Sequence, residues 1–260
     1  MRLFDSHCHL DDRAFDQDIE QTLHRAEKAD VHRFMIVGIS EHSSTKALEI
    51  AKCYGNCYSS VGVHPHYAKH CRIETINTLK KLTHHPKVKA WGEIGLDFDR
   101  MHSPPSVQEK WFINQLETAI ELKLPIIFHE RSTKGRLLDL LTQHKHDLGN
   151  GVIHCFTGTL EEMQAYVSMG LYIGITAIVT MTKRGENLRR IIPHIPLERL
   201  LIETDSPYLL PEALKKQTQR NEPAFVRYTL DMLCTLKNLN IDHLSERIWQ
   251  NTCNAFGITD

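Results

Sequence analysis

Residues 3–9 have the sequence Leu-Phe-Asp-Ser-His-Cys-His, in which an apolar, strand-like run leads into two histidines one residue apart. Similar runs recur along the chain, and most of them end at or beside a histidine or a carboxylate. We predict strands at these runs, which are Leu3–His7, Arg33–Ile39, Cys57–His64, Val88–Gly95, Leu124–His129, Gly151–Phe156, Leu171–Thr176 and Leu200–Asp205. Each is short and apolar on both faces, as expected of a buried parallel strand.

Longer amphipathic stretches separate the strands. They predict helices near Asp16–Ala29, His42–Tyr54, Ile73–His84, Ser106–Leu122, Thr133–His146, Leu160–Met169, Arg184–Ile192, Pro223–Leu236 and Ile241–Phe256. Eight strands alternating with helices over 260 residues predict one α/β domain spanning residues 1–260, a TIM (β/α)8 barrel. A doubly wound open sheet is the alternative, but the phosphate-binding motifs GxGxxG and GxxxxGK[ST] are absent.

The overall composition excludes several classes of protein. A formal net charge of −1 argues against bulk electrostatic binding to nucleic acid or to an anionic membrane. No stretch approaches the ~20 apolar residues that span a bilayer, and the first residues do not resemble a secretory signal. We therefore expect no membrane association and a cytoplasmic location. The seven cysteines include no Cys-x-x-Cys pair, so we also expect no disulfide framework.

Ionisable side chains gather where the predicted strands end. They are His7, His9, His64, Glu93, His129, His154 and Asp205. In a TIM barrel all these strand ends open onto one face, so residues distant in sequence meet there. Buried imidazoles and carboxylates are costly without a partner, and metal ions are partners that satisfy both. We therefore predict two divalent metal ions at the barrel mouth.

The predicted ligands divide between the two ions. His7 and His9 can bind one ion together, because alternate residues of a strand point the same way. We assign these two and Asp205 to the first ion, and His129 and His154 to the second. Glu93 is predicted to bridge the ions. Glu203 competes with Asp205, which we favour because it lies nearer the mouth.

The same site predicts chemistry on phosphate esters. The ions would activate a water molecule as the nucleophile, while Asp205 would orient it or accept its proton. Glu93 and Asp205 are thus the predicted catalytic residues. Two divalent ions, these two carboxylates and a hydroxide sum to about +1, a charge that attracts an anionic phosphodiester.

Substrate contacts are predicted from residues close to the strand ends. His64 and His66, in Gly-Val-His-Pro-His, are candidates, although both also suit a turn held by a proline. Arg131 suits a bidentate phosphate contact or a structural ion pair. Arg220 and Asn221 follow the eighth strand, where barrel enzymes often hold phosphate.

Several segments together resemble the TatD family of metal-dependent deoxyribonucleases. They are residues 4–10 (Phe-Asp-Ser-His-Cys-His-Leu), 62–66 (Gly-Val-His-Pro-His), 92–97 (Gly-Glu-Ile-Gly-Leu-Asp), 154–158 (His-Cys-Phe-Thr-Gly), 202–209 (Ile-Glu-Thr-Asp-Ser-Pro-Tyr-Leu) and 220–223 (Arg-Asn-Glu-Pro). They occur in the family's order and cover essentially the whole chain. The resemblance implies a barrel of the metallo-dependent hydrolase type and hydrolysis of DNA, commonly from the 3′ end of single or frayed strands. It also implies metal roles for the six predicted ligands and a substrate contact for His64.

One segment departs from the family pattern. Where the family usually has His-x-Arg-Asp after the fifth strand, this chain has His129-Glu130-Arg131-Ser132. We expect Glu130 to point away from the mouth, because strand alternation turns it from His129. The imidazole-rich ligand set suits Zn²⁺ or Mn²⁺, whereas the family is often described as Mg²⁺-dependent.

Two other functions fit the same residues. An amidohydrolase-type deaminase, lactonase or cyclic-amide hydrolase can share the barrel and the His-x-His pair, although many binuclear members bridge their metals with a carboxylated lysine where this chain has Glu93. A non-enzymatic, metal-stabilised binding protein is the second alternative. Structural sites are usually closed and hold a single metal, so a complete ligand set with a candidate base favours an enzyme.

Overall fold

The strands form one parallel sheet whose spatial order follows the order of the chain. A computed structural model describes residues 1–259 of the protein. The strands are β1 (Leu3–Cys8), β2 (Val31–Ile36), β3 (Cys57–Val61), β4 (Val88–Asp97), β5 (Ile126–Arg131), β6 (Gly151–Ile153), β7 (Tyr172–Ile175) and β8 (Leu200–Ile202). This order confirms the TIM barrel, because in a doubly wound sheet the strand order reverses at the centre.

Helices connect the strands and cover the outside of the sheet. They are α1 (Ile19–Lys28), α2 (Glu41–Cys53), α3 (Ile73–Leu82), α4 (Pro105–Leu122), α5 (Arg136–Gln143), α6 (Leu160–Ser168), α7 (Glu186–Ile191), α8 (Val226–Lys237) and α9 (Ile241–Phe256). Pro223 begins a short 3-10 turn that precedes α8. The predicted start of α5 at Thr133 is wrong, because Ser132, Lys134 and Gly135 adopt positive φ angles that no α-helix contains.

The predicted ends of the strands also differ from the structure, and β2 and β3 end earlier than predicted, at Ile36 and Val61. β6 and β8 stop before His154 and Asp205, so these side chains project from loops. Strands β4 and β5 run further than predicted, because their ladder continues as far as the pair Asp97 and Arg131.

The first and last strands meet at the carboxyl end of the barrel. The backbone N–H of Asp205 donates to the carbonyl of His7 at 2.9 Å, and the N–H of His9 donates to the carbonyl of Ser206 at 2.8 Å. Both bonds join β1 to the segment that follows β8. They therefore close the barrel at the point where three of the predicted metal ligands lie.

A separate apolar cluster fills the barrel interior. Each strand contributes one side chain to it, and the eight are Phe4, Met35, Tyr58, Ala90, Ile127, Val152, Tyr172 and Leu201. Trp249 and Phe256 of α9 pack against the same cluster, and both rings lie within 6.5 Å of the Phe4 ring. Helix α9 thus covers the amino end of the barrel, while the carboxyl end is left to polar side chains.

Within residues 1–259, none of the helices combines the length and the apolar character needed to cross a membrane. All seven cysteines are free thiols, as the sequence predicted. Cys8, for example, is buried at the end of β1 and donates to the carbonyl of Met35.

Candidate metal centre

The barrel brings all six predicted metal ligands together at its carboxyl end. His7 lies in β1, Glu93 in β4 and His129 in β5, whereas His9, His154 and Asp205 follow β1, β6 and β8. Most of these side chains are buried, and Asp205 keeps a small exposed fraction. Residues nearly 200 positions apart in the sequence thus face one small volume.

Four donor atoms form a compact group on the β1 side. His7 Nε2 lies 3.3 Å from His9 Nε2, 3.4 Å from Glu93 Oε2 and 3.7 Å from Asp205 Oδ1. His9 Nε2 lies 3.3 Å from Asp205 Oδ1. Ligands bound tetrahedrally at about 2.1 Å from one ion are about 3.4 Å apart. These separations and this N/O donor set fit a divalent metal ion.

Polar contacts outside this group orient two of the imidazoles. The Nδ1 of His9 lies 3.0 Å from the carbonyl of Val37, which can only accept, so this nitrogen carries the proton. The Nδ1 of His154 lies 2.8 Å from Glu203 Oε1. Once Nε2 has lost its proton, each ring presents a lone pair to the centre of the mouth, the state that metal binding requires.

Glu93 faces both halves of the site with different oxygens. Its Oε2 lies near His7, as described, whereas its Oε1 lies 2.6 Å from His129 Nδ1 and 3.8 Å from His154 Nε2. His64 Nε2 is also only 3.5 Å from the same Oε1. A carboxylate placed in this way can hold one ion with each oxygen. His64, predicted as a substrate contact, therefore lies at the distance of a ligand.

The electrostatics keep both carboxylates ionised. Burial raises the pKa of Glu93, but the surrounding imidazoles, His64 foremost, hold it well below its usual range. Burial also raises the pKa of Asp205, but its contact with His9 and the neighbouring histidines hold that pKa below its usual range. Both side chains are thus available as anionic ligands, and Asp205 as a base, at neutral pH.

The same contacts shift the pKa values of the ligand imidazoles. Burial lowers the pKa of His9, yet Asp205 and its acidic neighbours raise it to about 10. Burial also lowers the pKa of His129, which Glu93 and Asp97 raise to about 9. Before an ion binds, both rings therefore carry a proton at neutral pH.

This protonation predicts metal binding that tightens with pH. An ion must displace the protons of His9 and His129, so raising the pH towards their pKa values removes a competitor. We expect chelator-stripped protein to gain up to about tenfold in Zn²⁺ or Mn²⁺ affinity per pH unit for each proton released, between about pH 6 and pH 9. Competition against a fluorescent chelator, corrected for its own protonation, measures this. An affinity independent of pH over that range would contradict the assignment.

Two acidic residues that were not predicted as site residues support the ligands from outside. Asp97 Oδ2 lies 2.6 Å from His66 Nε2 and 3.6 Å from His129 Nε2. Although burial raises the pKa of Asp97, its contacts with His129 and His66 hold it below its usual range. The signal was present in the sequence, since Asp97 lies four residues after Glu93 in the same strand. Asp97 therefore fixes the ring of His129.

Glu203 has the corresponding role for His154. The carboxylate is fully buried, and it also accepts the backbone N–H of Cys155 at 2.6 Å. Gly174 on β7 makes room for it, since a Cβ there would lie 2.6 Å from Glu203 Oε2. Glu203 thus lies behind a ligand instead of replacing Asp205 as one.

The other predicted substrate contacts lie elsewhere or have protein partners. His66 is bound to Asp97, and Arg131 forms a 2.7 Å ion pair with Asp99, the structural alternative that the sequence left open. Arg220 forms two 2.7 Å bonds with Asp18 of the β1–α1 loop. This guanidinium also stacks on Phe15, so Arg220 anchors the β8–α8 loop to the loop after β1.

Asn221 has a structural place as well. It is 1% exposed, and its amide donates to the carbonyls of Thr204 and Tyr208. A substrate phosphate has no access to it, so the predicted contact is wrong. Glu130 accepts a 2.6 Å hydrogen bond from Thr133, which fits the expectation that it turns away from the metal ligands.

A polar groove adjoins the centre beside β5, β6 and β7. Its volume is about 390 Å3, and its lining includes the cations Arg131, Lys134 and Arg184 together with the carboxylates of Glu130 and Glu162. Among residues 1–259, Lys134 and Arg184 have no acidic partner within ion-pair distance. The groove therefore offers cations to an anionic ligand next to His129 and His154.

Comparisons with known proteins agree with this geometry. A sequence profile of the family described as TatD related DNase matches residues 4–257. The 3′-5′ ssDNA/RNA exonuclease TatD of Escherichia fergusonii is 40% identical over 259 residues, which are 99% of this chain and 100% of the relative. Among solved structures, YJJV, a TatD homologue from Escherichia coli K12, has a TM-score of 0.92 at 30% identity, covering 99% of each chain. A TatD family hydrolase from Entamoeba histolytica has a TM-score of 0.88 at 25% identity, covering 100% of this chain and 99% of its own. The chain therefore belongs to the TatD-related DNase family, as its sequence motifs predicted.

Proposed function

We propose that this protein is a metal-dependent exonuclease that hydrolyses the phosphodiester bonds of single-stranded DNA from the 3′ end. The position of Glu93 carries the proposal, because its two oxygens face two different groups of histidines. The relative from Escherichia fergusonii, named a 3′-5′ ssDNA/RNA exonuclease, supports the substrate class and direction and adds RNA as a candidate substrate.

We also propose that the site holds two divalent ions. His7, His9 and Asp205 would hold one of them. His129 and His154 would hold the other. His64 lies close enough to Glu93 and His129 to join them, and His154 Nε2 lies 3.8 Å from Glu93 Oε1 and also 3.8 Å from Asp205 Oδ1. Glu93 would be shared between them. Since imidazole nitrogen dominates the donors, Zn²⁺ or Mn²⁺ suits the site better than Mg²⁺, which prefers oxygen.

The residues of the chain have distinct tasks in this reaction. When bound, divalent ions neutralise phosphate charge and make water a stronger nucleophile at neutral pH. Asp205 is ionised, partly exposed and in contact with His9, so it can orient the attacking water and accept its proton. Lys134 and Arg184 would bind further phosphates along the groove.

The direct test is cleavage of a 5′-labelled single-stranded oligonucleotide by chelator-stripped protein, with Mg²⁺, Mn²⁺ or Zn²⁺ added back. We expect a metal-dependent ladder that shortens from the 3′ end, because the label stays on the retained fragment. A fully paired blunt duplex of the same sequence serves as the control and should be cut more slowly. Immediate release of the label as a mononucleotide would show that digestion starts from the 5′ end instead. No cleavage with metal bound would favour a small phosphoester or cyclic amide as substrate.

A further inference from the structure

We propose that Tyr208, one of two exposed tyrosines in the loops at the barrel mouth, stacks against the unpaired 3′-terminal base of the substrate. This inference rests on the proposed exonuclease function and adds the feature that selects single-stranded ends. The two tyrosines belong to different loops, since Tyr67 follows β3 and Tyr208 follows β8.

Both rings are exposed although their backbones are held firmly. Tyr67 is 42% exposed and Tyr208 52% exposed, which is unusual for large aromatic side chains. The N–H of Tyr67 donates to the carbonyl of His64, and the N–H of Tyr208 donates to the carbonyl of Asp205, each at 2.9 Å. Each tyrosine is thus the third residue after a site residue, in a tight turn that contains a proline. The turns fix the backbone of both tyrosines relative to the metal centre.

Tyr208 lies directly beside the metal ligands. Its ring centroid is 6.0 Å from that of His9, in an edge-on arrangement. Its hydroxyl donates to Asp12 Oδ2 at 3.1 Å, which restrains the ring while leaving a large part of it exposed.

The charges around the mouth assign the two sides to different parts of the substrate. Beside Tyr208 stand the carboxylates of Asp12 and Asp205, which disfavour further phosphates. The groove beyond β5, β6 and β7 carries the unpaired cations Lys134 and Arg184. The 3′-terminal nucleotide has a base but no phosphate beyond the scissile one, so it suits the aromatic side. The retained strand carries repeated phosphates and suits the groove.

Stacking on these rings requires an exposed base face. In a duplex the terminal base is paired and stacked on its neighbour, and fraying it costs energy before it can reach Tyr208. An aromatic platform accepts any base, because every base has a π face. The rim therefore favours single-stranded ends with little preference for sequence.

The test compares two substrates and three variants. We expect Tyr208→Ala to lower kcat/KM about tenfold on a single-stranded oligonucleotide. On the same oligonucleotide with an abasic 3′-terminal nucleotide, Tyr208→Ala should match the wild type, because no base remains to stack. Tyr208→Phe should keep most of the activity, since it loses only the bond to Asp12. Tyr228→Ala changes an exposed tyrosine on α8 and serves as the matched control.

Each result has a defined meaning. If Tyr208→Ala lowers kcat/KM equally on both substrates, its role is structural and the stacking role is overturned. The same holds if Tyr208→Phe lowers kcat/KM as much as Tyr208→Ala does. Wild-type rates of Tyr208→Ala on the intact oligonucleotide would also overturn it. If the wild type itself fails to cut either substrate, the proposed exonuclease function fails instead. Metal content, measured on every variant, separates a lost metal centre from lost stacking.

Discussion

Replacing Glu93 with alanine releases metal and abolishes hydrolysis together. The two oxygens of this carboxylate face different histidines, with Oε2 at 3.4 Å from His7 and Oε1 at 2.6 Å from His129. Without it, the surrounding imidazoles lose the charge that draws two cations into one site. We expect turnover to fall by about 10³ or more, measured on a single-stranded oligonucleotide, with metal content determined by mass spectrometry on the same samples.

Glu93→Gln refines this prediction because glutamine keeps the shape and removes the charge. It should also lose metal and activity, since a neutral amide binds a cation weakly and removes one of the two ionised carboxylates that face the histidines. Glu121→Gln is the matched control, because Glu121 is an exposed carboxylate on α4 that pairs with Lys80. Full activity with both ions retained in Glu93→Ala would show that Glu93 does not bridge them.

Asp205→Asn should separate binding of nucleic acid from its cleavage. Asparagine has nearly the same shape but cannot accept a proton, and it is a weaker ligand than a carboxylate. We expect kcat to fall by about 10² to 10⁴, the range of general acid–base contributions. The Kd for a short single-stranded oligonucleotide, measured by fluorescence anisotropy, should change much less, because the groove beyond β5–β7 is untouched.

Asp99→Asn provides the comparison for this variant. Asp99 is an exposed aspartate near the mouth that pairs with Arg131, so its loss should leave kcat close to the wild-type value. If Asp205→Asn kept more than about a tenth of the wild-type kcat, Asp205 would not be the base. If the wild-type protein binds the oligonucleotide but shows no turnover, the metal-stabilised binding protein is favoured instead.

The convergence of the candidate metal ligands was predictable from sequence because their positions follow from the register of the fold. A histidine or carboxylate at the end of an apolar strand must lie at one face of a barrel, whatever the loops do. That rule places His7, Glu93 and His129 without knowledge of any contact. It holds for His154 and Asp205 too, although β6 and β8 end earlier than predicted and both residues lie in loops.

The loop residues were less predictable because their partners come from remote segments. Nothing in the sequence around Arg220 shows that Asp18, 202 residues away, takes its guanidinium. The pairing of His66 with Asp97 likewise depends on how the segment after β3 lies over the end of β4. A charged residue in a mouth loop can equally bind phosphate or a neighbouring loop, and only the packed structure distinguishes the two.

The seam between β1 and the segment after β8 has a consequence for the protein during its synthesis. A nascent chain that has emerged as far as β7 already carries five of the six ligands, but it lacks Asp205 and the backbone N–H that binds the carbonyl of His7. Until β8 arrives, the barrel stays open along the edge of β1. An unfinished chain on a ribosome therefore cannot assemble a complete catalytic centre beside the messenger that encodes it.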